Sequence, residues 1–183
     1  MRCFVAIKLS KEVKDEIVRI QKNLAPLGLE AKWTEYENLH ITLKFLGQIP
    51  EENITEAEEI MVRVSSLVKS FTLNLSKAGA FPSLGRPRVL WVGVEPGEFP
   101  VKIIQYLEKE FVRLNIPRET RSPHPHITLA RIKSPKNIHK LKSAVESVEV
   151  KDVKWRIEEV ILFKSILTPR GSIYEEIYKA SLE

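Results

Sequence analysis

Cysteine is nearly absent. Cys3 stands alone among 183 residues, which rules out an intrachain disulfide and a four-cysteine zinc site. No apolar run reaches the roughly 18 residues that a membrane-crossing helix needs. The apolar stretch Met1–Leu9 is too short for a signal peptide and lacks a small-residue cleavage site, so it reads as a first strand. Low-complexity segments and flexible linkers are missing as well. What is left is 43% hydrophobic and 29% charged, the balance of a globular chain expected in the cytoplasm. With no obvious exposed apolar helix, a monomer is expected. The length suits one domain of ordinary size or two small lobes sharing a core. The net charge of +5 suits a polyanionic partner such as RNA, because Lys and Arg attract phosphates whatever the base sequence.

Histidine is scarce too, four in all, and two of the four occupy the same setting. His40-Ile41-Thr42-Leu43 recurs as His126-Ile127-Thr128-Leu129 nearly half a chain length later. Each copy alternates polar and apolar side chains. That is a strand signature, with His and Thr on one face and Ile and Leu on the other. A lone His-x-Thr is most often a structural strand pair. Its repetition, one copy per half and both in β-prone surroundings, points to function.

The remaining pattern predicts a strand over 2–9, then a helix over about 11–25. Ser10 would cap that helix, with Val13, Ile17, Ile20 and Leu24 on one face. A short strand near 31–34 and the first His-x-Thr strand over 39–46 follow. Pro50 opens a second helix over 51–68, and Phe71–Leu75 alternates as a strand. A Gly/Pro-rich connection over 79–88 leads into a β-prone run to 94, then a helix over 98–114. After the second His-x-Thr strand come a helix from Ser134-Pro135 to about Ser147 and strands near 153–167 and 173–180. Without repeated βαβ units, this order argues an α+β fold with largely antiparallel sheets. Two tightly packed lobes sharing a central cleft are expected.

Two facing strands that each carry an imidazole can open a five-membered cyclic phosphate. A base takes a proton from water, an acid protonates the departing ribose oxygen, and donors hold the phosphate oxygens. With an ordinary pKa near 6.5, one neutral and one charged imidazole coexist near neutral pH. Thr42 and Thr128 share the faces of the histidines and can donate to the non-bridging oxygens. No carboxylate-rich cluster accompanies them, so the expectation is catalysis without metal or cofactor.

These residues resemble the 2H phosphoesterases, named for two His-x-Thr motifs. The similarity is greatest to the LigT-like branch of RNA 2′,3′-cyclic phosphodiesterases, historically called 2′-5′ RNA ligases. It runs through Arg2–Ile7, His40–Gly47, Phe81-Pro82, Arg88–Trp91, His124–Arg131 and Ser165–Tyr174. The resemblance implies a bilobal, pseudo-two-fold fold over residues 1–183, as one domain of two intertwined lobes with the motifs facing across a groove. It implies hydrolysis of a terminal 2′,3′-cyclic phosphate to a 2′-phosphomonoester, on RNA ends such as tRNA fragments, with nucleotides also able to occupy the groove. It assigns His40 as proton donor, His126 as proton acceptor and Arg131 as a phosphate contact. The sequence alone leaves the two proton roles interchangeable. Alternatives are a 2′-5′ ligase and a non-catalytic RNA- or nucleotide-binding module.

Several residues sit at the margin. Five positions after His126, Arg131 would point away from the histidine in a regular strand. Lys44 alternates with His40 and Thr42, and either contacts a neighbouring phosphate or lies on a solvated face. His124-x-His126 has the look of a metal pair but lacks further ligands, which favours His124 as a loop residue. Trp33, Phe45, Phe81, Trp91 and Tyr174 are candidates for base stacking, with core packing the commoner fate of such residues. Arg86, Arg88, Arg118, Arg121 and Arg170 fall in loops and could form a positive rim.

Overall fold

The computed structural model describes residues 1–183. Nine strands and four helices follow one another as β1 (Arg2–Lys8), α1 (Lys11–Leu24), β2 (Ala31–Trp33), β3 (His40–Gln48), α2 (Ile54–Val62), β4 (Phe71–Phe81), β5 (Val89–Glu95), α3 (Glu98–Glu110), β6 (His126–Ile132), α4 (Leu141–Ser147), β7 (Lys154–Ile157), β8 (Glu159–Thr168) and β9 (Gly171–Ser181). The fold is α+β, as the interleaved pattern predicts.

Every strand pairing is antiparallel. The order is β7-β4-β5-β6-β3-β1-β8-β9, with β2 added to β6. This path divides into two four-stranded halves, β7-β4-β5-β6 and β3-β1-β8-β9. They meet edge to edge at one residue pair, Ile41 opposite Ile127. An antiparallel pair carries a local two-fold, so the two His-x-Thr segments lie symmetrically about that point.

Helix α1 forms because Val13, Ile17, Ile20 and Leu24 line one face and bury it, while Ser10 Oγ caps the first turn by accepting from Val13 N. Full burial of each such side chain contributes about 1.5–3 kcal/mol. The helix leaves β1 of one half yet ties to the other. Gln21 Nε2 donates to Thr34 O at 3.0 Å and to Leu129 O of β6 at 2.9 Å. Conversely α3, which leaves β5, packs on β3 of the opposite half. α2 covers β8 and β9, and α4 lies on β4. One core cluster of 42 buried residues runs beneath both halves.

The helix ends depart from the periodicity. The predicted 51–68 helix is α-helical only over Ile54–Val62, with 3-10 turns at Glu51–Asn53 and Arg63–Ser66. The predicted 134–147 helix begins regular winding only at Leu141. Asn137 takes a left-handed conformation at φ 61°, and a 3-10 turn precedes the helix. Proline and capping residues mark where a helical region opens, not how many of its turns close as α.

Candidate active site

His40 opens β3 and His126 opens β6, so the two imidazoles enter one groove from opposite strands. Their local geometry repeats. His40 Nδ1–H donates to Asn38 O at 2.6 Å, and His126 Nδ1–H donates to His124 O at 2.6 Å. A carbonyl only accepts, so each Nδ1 carries its hydrogen and each Nε2 is left as the atom that can take or give a proton. Thr42 Oγ1 lies 2.8 Å from His40 Nε2 and donates to it in the neutral imidazole.

The two surroundings differ. His40 sits against Phe4 (5.0 Å between centroids) and meets the edge of Tyr174 (5.5 Å). Both rings belong to a small apolar cluster with Ala6, Ile161 and Phe163 on the groove side of the sheet. His126 stands edge-on to Phe81 at 5.0 Å, with Trp91 at 6.4 Å. Burial pushes the His40 pKa down to about 4, and His126 and Arg131 disfavour its charge further. Burial lowers His126 as well, with His124 and Arg131 adding to the effect. Both rings are therefore neutral in the free protein at neutral pH.

Arg131 belongs to this site despite its odd spacing. Across from β5, His126 pairs with Gly93, Thr128 with Trp91, Ala130 with Leu90 and Arg131 with Val89. Leu129 is an extra residue, a bulge that shifts the alternation by one. Gly93, Trp91 and Val89 share a face, so His126, Thr128 and Arg131 do too. Its charge is felt by both histidines and by Tyr174.

The profile of LigT-like phosphoesterases matches residues 7–91 and 97–174. The chain belongs to the LigT-like phosphoesterase family. It is 34% identical over 178 residues to a Methanothermobacter thermautotrophicus protein named RNA 2′,3′-cyclic phosphodiesterase, covering 97% of this chain and 96% of the relative. A Thermotoga maritima protein of the same name is 33% identical over 184 residues, covering 100% and 96%. Among solved structures, a Thermus thermophilus protein superposes with a TM-score of 0.81 at 31% identity, covering 100% of this chain and 98% of that one. E. coli LigT in complex with 3′-AMP gives 0.77 at 26% identity, covering 99% and 97%.

In this LigT-like phosphoesterase β3 carries a bulge of its own. Ala6 pairs with Thr42 and Val5 with Lys44, so Leu43 is extra. The shift turns Lys44 away from the groove. It is 5% exposed, and its Nζ donates to Glu108 Oε2 at 2.7 Å and to Pro117 O at 3.0 Å. Neither phosphate contact nor a solvated face describes it. The same shift brings Phe45 onto the face of His40 and Thr42, where it stands 62% exposed. Phe45 and Arg131 therefore occupy equivalent places, each five residues after its histidine.

Of the other aromatics, Trp33 packs against the core. Phe81, Trp91 and Tyr174 line the groove beside the histidines. Trp91 lies over Gly79 and Gly93, where a Cβ on Gly79 would come within 2.4 Å of its ring. His124 is an exposed residue before β6, its ring 4.5 Å from Trp91. Arg86, Arg88, Arg118, Arg121 and Arg170 are all exposed and outside the two motifs.

Proposed function

We propose that the chain hydrolyses the 2′,3′-cyclic phosphate at RNA ends to a 2′-phosphomonoester by metal-independent acid–base catalysis. The observation that carries this reading is the pair of imidazoles entering one groove from symmetry-related strands, each with Nδ1 tied to a carbonyl so that Nε2 is the atom left to exchange a proton, at His40 against Thr42 Oγ1. The names of the curated relatives supply the substrate class.

His126 takes a proton from water as its oxygen attacks phosphorus. The P–O3′ bond breaks, and His40 delivers a proton to O3′. Thr42, Thr128 and Arg131 hold the non-bridging oxygens as charge shifts across them. The burial that keeps His40 neutral in the free protein is offset when an anionic phosphate arrives, because an adjacent negative charge favours imidazolium. Seating the substrate thus shifts the donor toward its charged form. Phe45, exposed on the same face, offers a ring on which a nucleobase can stack. No three carboxylate, imidazole or thiol side chains converge to ligate a metal. By microscopic reversibility the site can also join a cyclic phosphate and a 5′-hydroxyl into a 2′-5′ linkage, as a secondary activity.

The test is incubation of EDTA-treated protein with a short RNA ending in a 2′,3′-cyclic phosphate, with the phosphate position of the product identified. A 2′-phosphate is the expected product. A 3′-phosphate would reverse the leaving group, and unchanged RNA would overturn the reading.

A further inference from the structure

β2 is an edge strand whose three residues pair only with β6. Lys32 lies directly opposite Arg131 in that pairing, flanked by Ala31 opposite Ile132 and Trp33 opposite Ala130. Cross-strand partners point to the same side of a sheet. Ala31, Trp33, Ala130 and Ile132 turn inward, while Lys32 and Arg131 are both exposed. The bulge at Leu129 has already placed Arg131 on the groove face, so Lys32 stands on it as well.

Two like charges directly opposite in an antiparallel pair are unfavourable. No acidic side chain relieves this pair. Neither residue takes part in an ion pair or a side-chain hydrogen bond. The nearest acidic residue along β2, Glu30, accepts instead from Ser134 Oγ. Such a twin cation, held by backbone register at the end of a catalytic groove, attracts an anion. Arg131 offers a planar fork with five donors, enough to keep one edge on the cyclic phosphate while the other edge shares a second phosphate with Lys32, a mobile point charge.

We propose that Lys32 and Arg131 together form a second phosphate subsite, which takes the phosphodiester on the 5′ side of the terminal nucleotide. This rests on the RNA-end reading above and deepens it. A cyclic mononucleotide has no such phosphate, so the subsite makes an oligonucleotide end the preferred substrate.

Lys32→Gln and Lys32→Glu test this without touching the histidines, threonines or Arg131. The probes are adenosine 2′,3′-cyclic monophosphate and a tetranucleotide ending in a 2′,3′-cyclic phosphate. The expected result for Lys32→Gln is a KM for the tetranucleotide raised about 5- to 10-fold with kcat unchanged. The mononucleotide constants should move less than about 2-fold. The salt slope of tetranucleotide binding should fall by about one, and Lys32→Glu should raise the KM further. Equal effects on both substrates, or none on either, would overturn the subsite while leaving the hydrolase reading in place. If the unmodified protein turned over neither substrate, the hydrolase reading itself would fall, and the subsite with it.

Discussion

At the scale of single residues, the sequence exposes most of the site. Period-two alternation places His40 with Thr42 and His126 with Thr128, and the strands preserve it because no extra residue intervenes between histidine and threonine. Arg131 and Phe45 are not legible that way. Each follows a bulge at the leucine that closes its motif, Leu43 or Leu129, and alternation alone sends both to the wrong face. Lys32 carries no signal until its partner across the sheet is known. The functional reading predicts that His40→Ala and His126→Ala each lower kcat about 100- to 10,000-fold, the range typical of a general acid or base. Circular dichroism and the unfolding midpoint should stay close to those of the parent. Near-normal turnover in either variant would sink the two-histidine mechanism.

At the scale of elements, the bulges do the sorting. Without the one at Leu43, Lys44 would face the groove as its spacing suggests. With it, a lysine is buried and must be paired. Glu108 answers from α3, and the same carboxylate oxygen accepts from Glu119 N at 2.8 Å. The ion pair thus ties β3, α3 and the segment leading to β6 together. Breaking one partner of a buried pair typically costs about 3–5 kcal/mol, because the other is left uncompensated. Lys44→Met should therefore destabilise the protein strongly in urea unfolding, and adding Glu108→Leu should recover part of the loss. A Lys44→Met variant as stable as the parent would show the pair to be dispensable. The sequence could not announce this pairing, since 64 positions separate its members. Strand and helix identities were legible except at Gly79–Phe81, where a Gly/Pro-rich stretch reads as a connection yet continues β4 by pairing with β5. The closure of individual turns was not legible, as the 51–68 and 134–147 segments illustrate.

At the scale of the whole molecule, the groove exacts a cost that depends on pH. His40 titrates near 4 when folded, against 6.5 when exposed. Between those values the unfolded chain binds the proton and the folded one does not. Stability therefore falls as pH drops through that window and is fully present above it. At 1.36 kcal/mol per unit, the loss amounts to about 3 kcal/mol from His40, with His126 acting in the same direction. Urea midpoints measured from pH 7 to pH 4 should decline accordingly, and the decline should be shallower in His40→Gln. An identical slope in that variant would assign the pH dependence to other groups. The exchange of α1 and α3 between halves escapes the sequence for a different reason. Periodicity gives a helix its buried face, but nothing local says which sheet that face will meet.

The lone Ile41–Ile127 pairing has a mechanical consequence. Were the halves to tilt about it, points would be displaced in proportion to their distance from that pivot. The two histidines flank it by a single residue, whereas Phe45, Arg131 and Lys32 lie farther out. A small tilt of one half against the other would scarcely alter the spacing of the two Nε2 atoms, yet would open or close the outer margins of the groove. Constancy at the reaction centre and adaptability at its borders then come from one and the same joint.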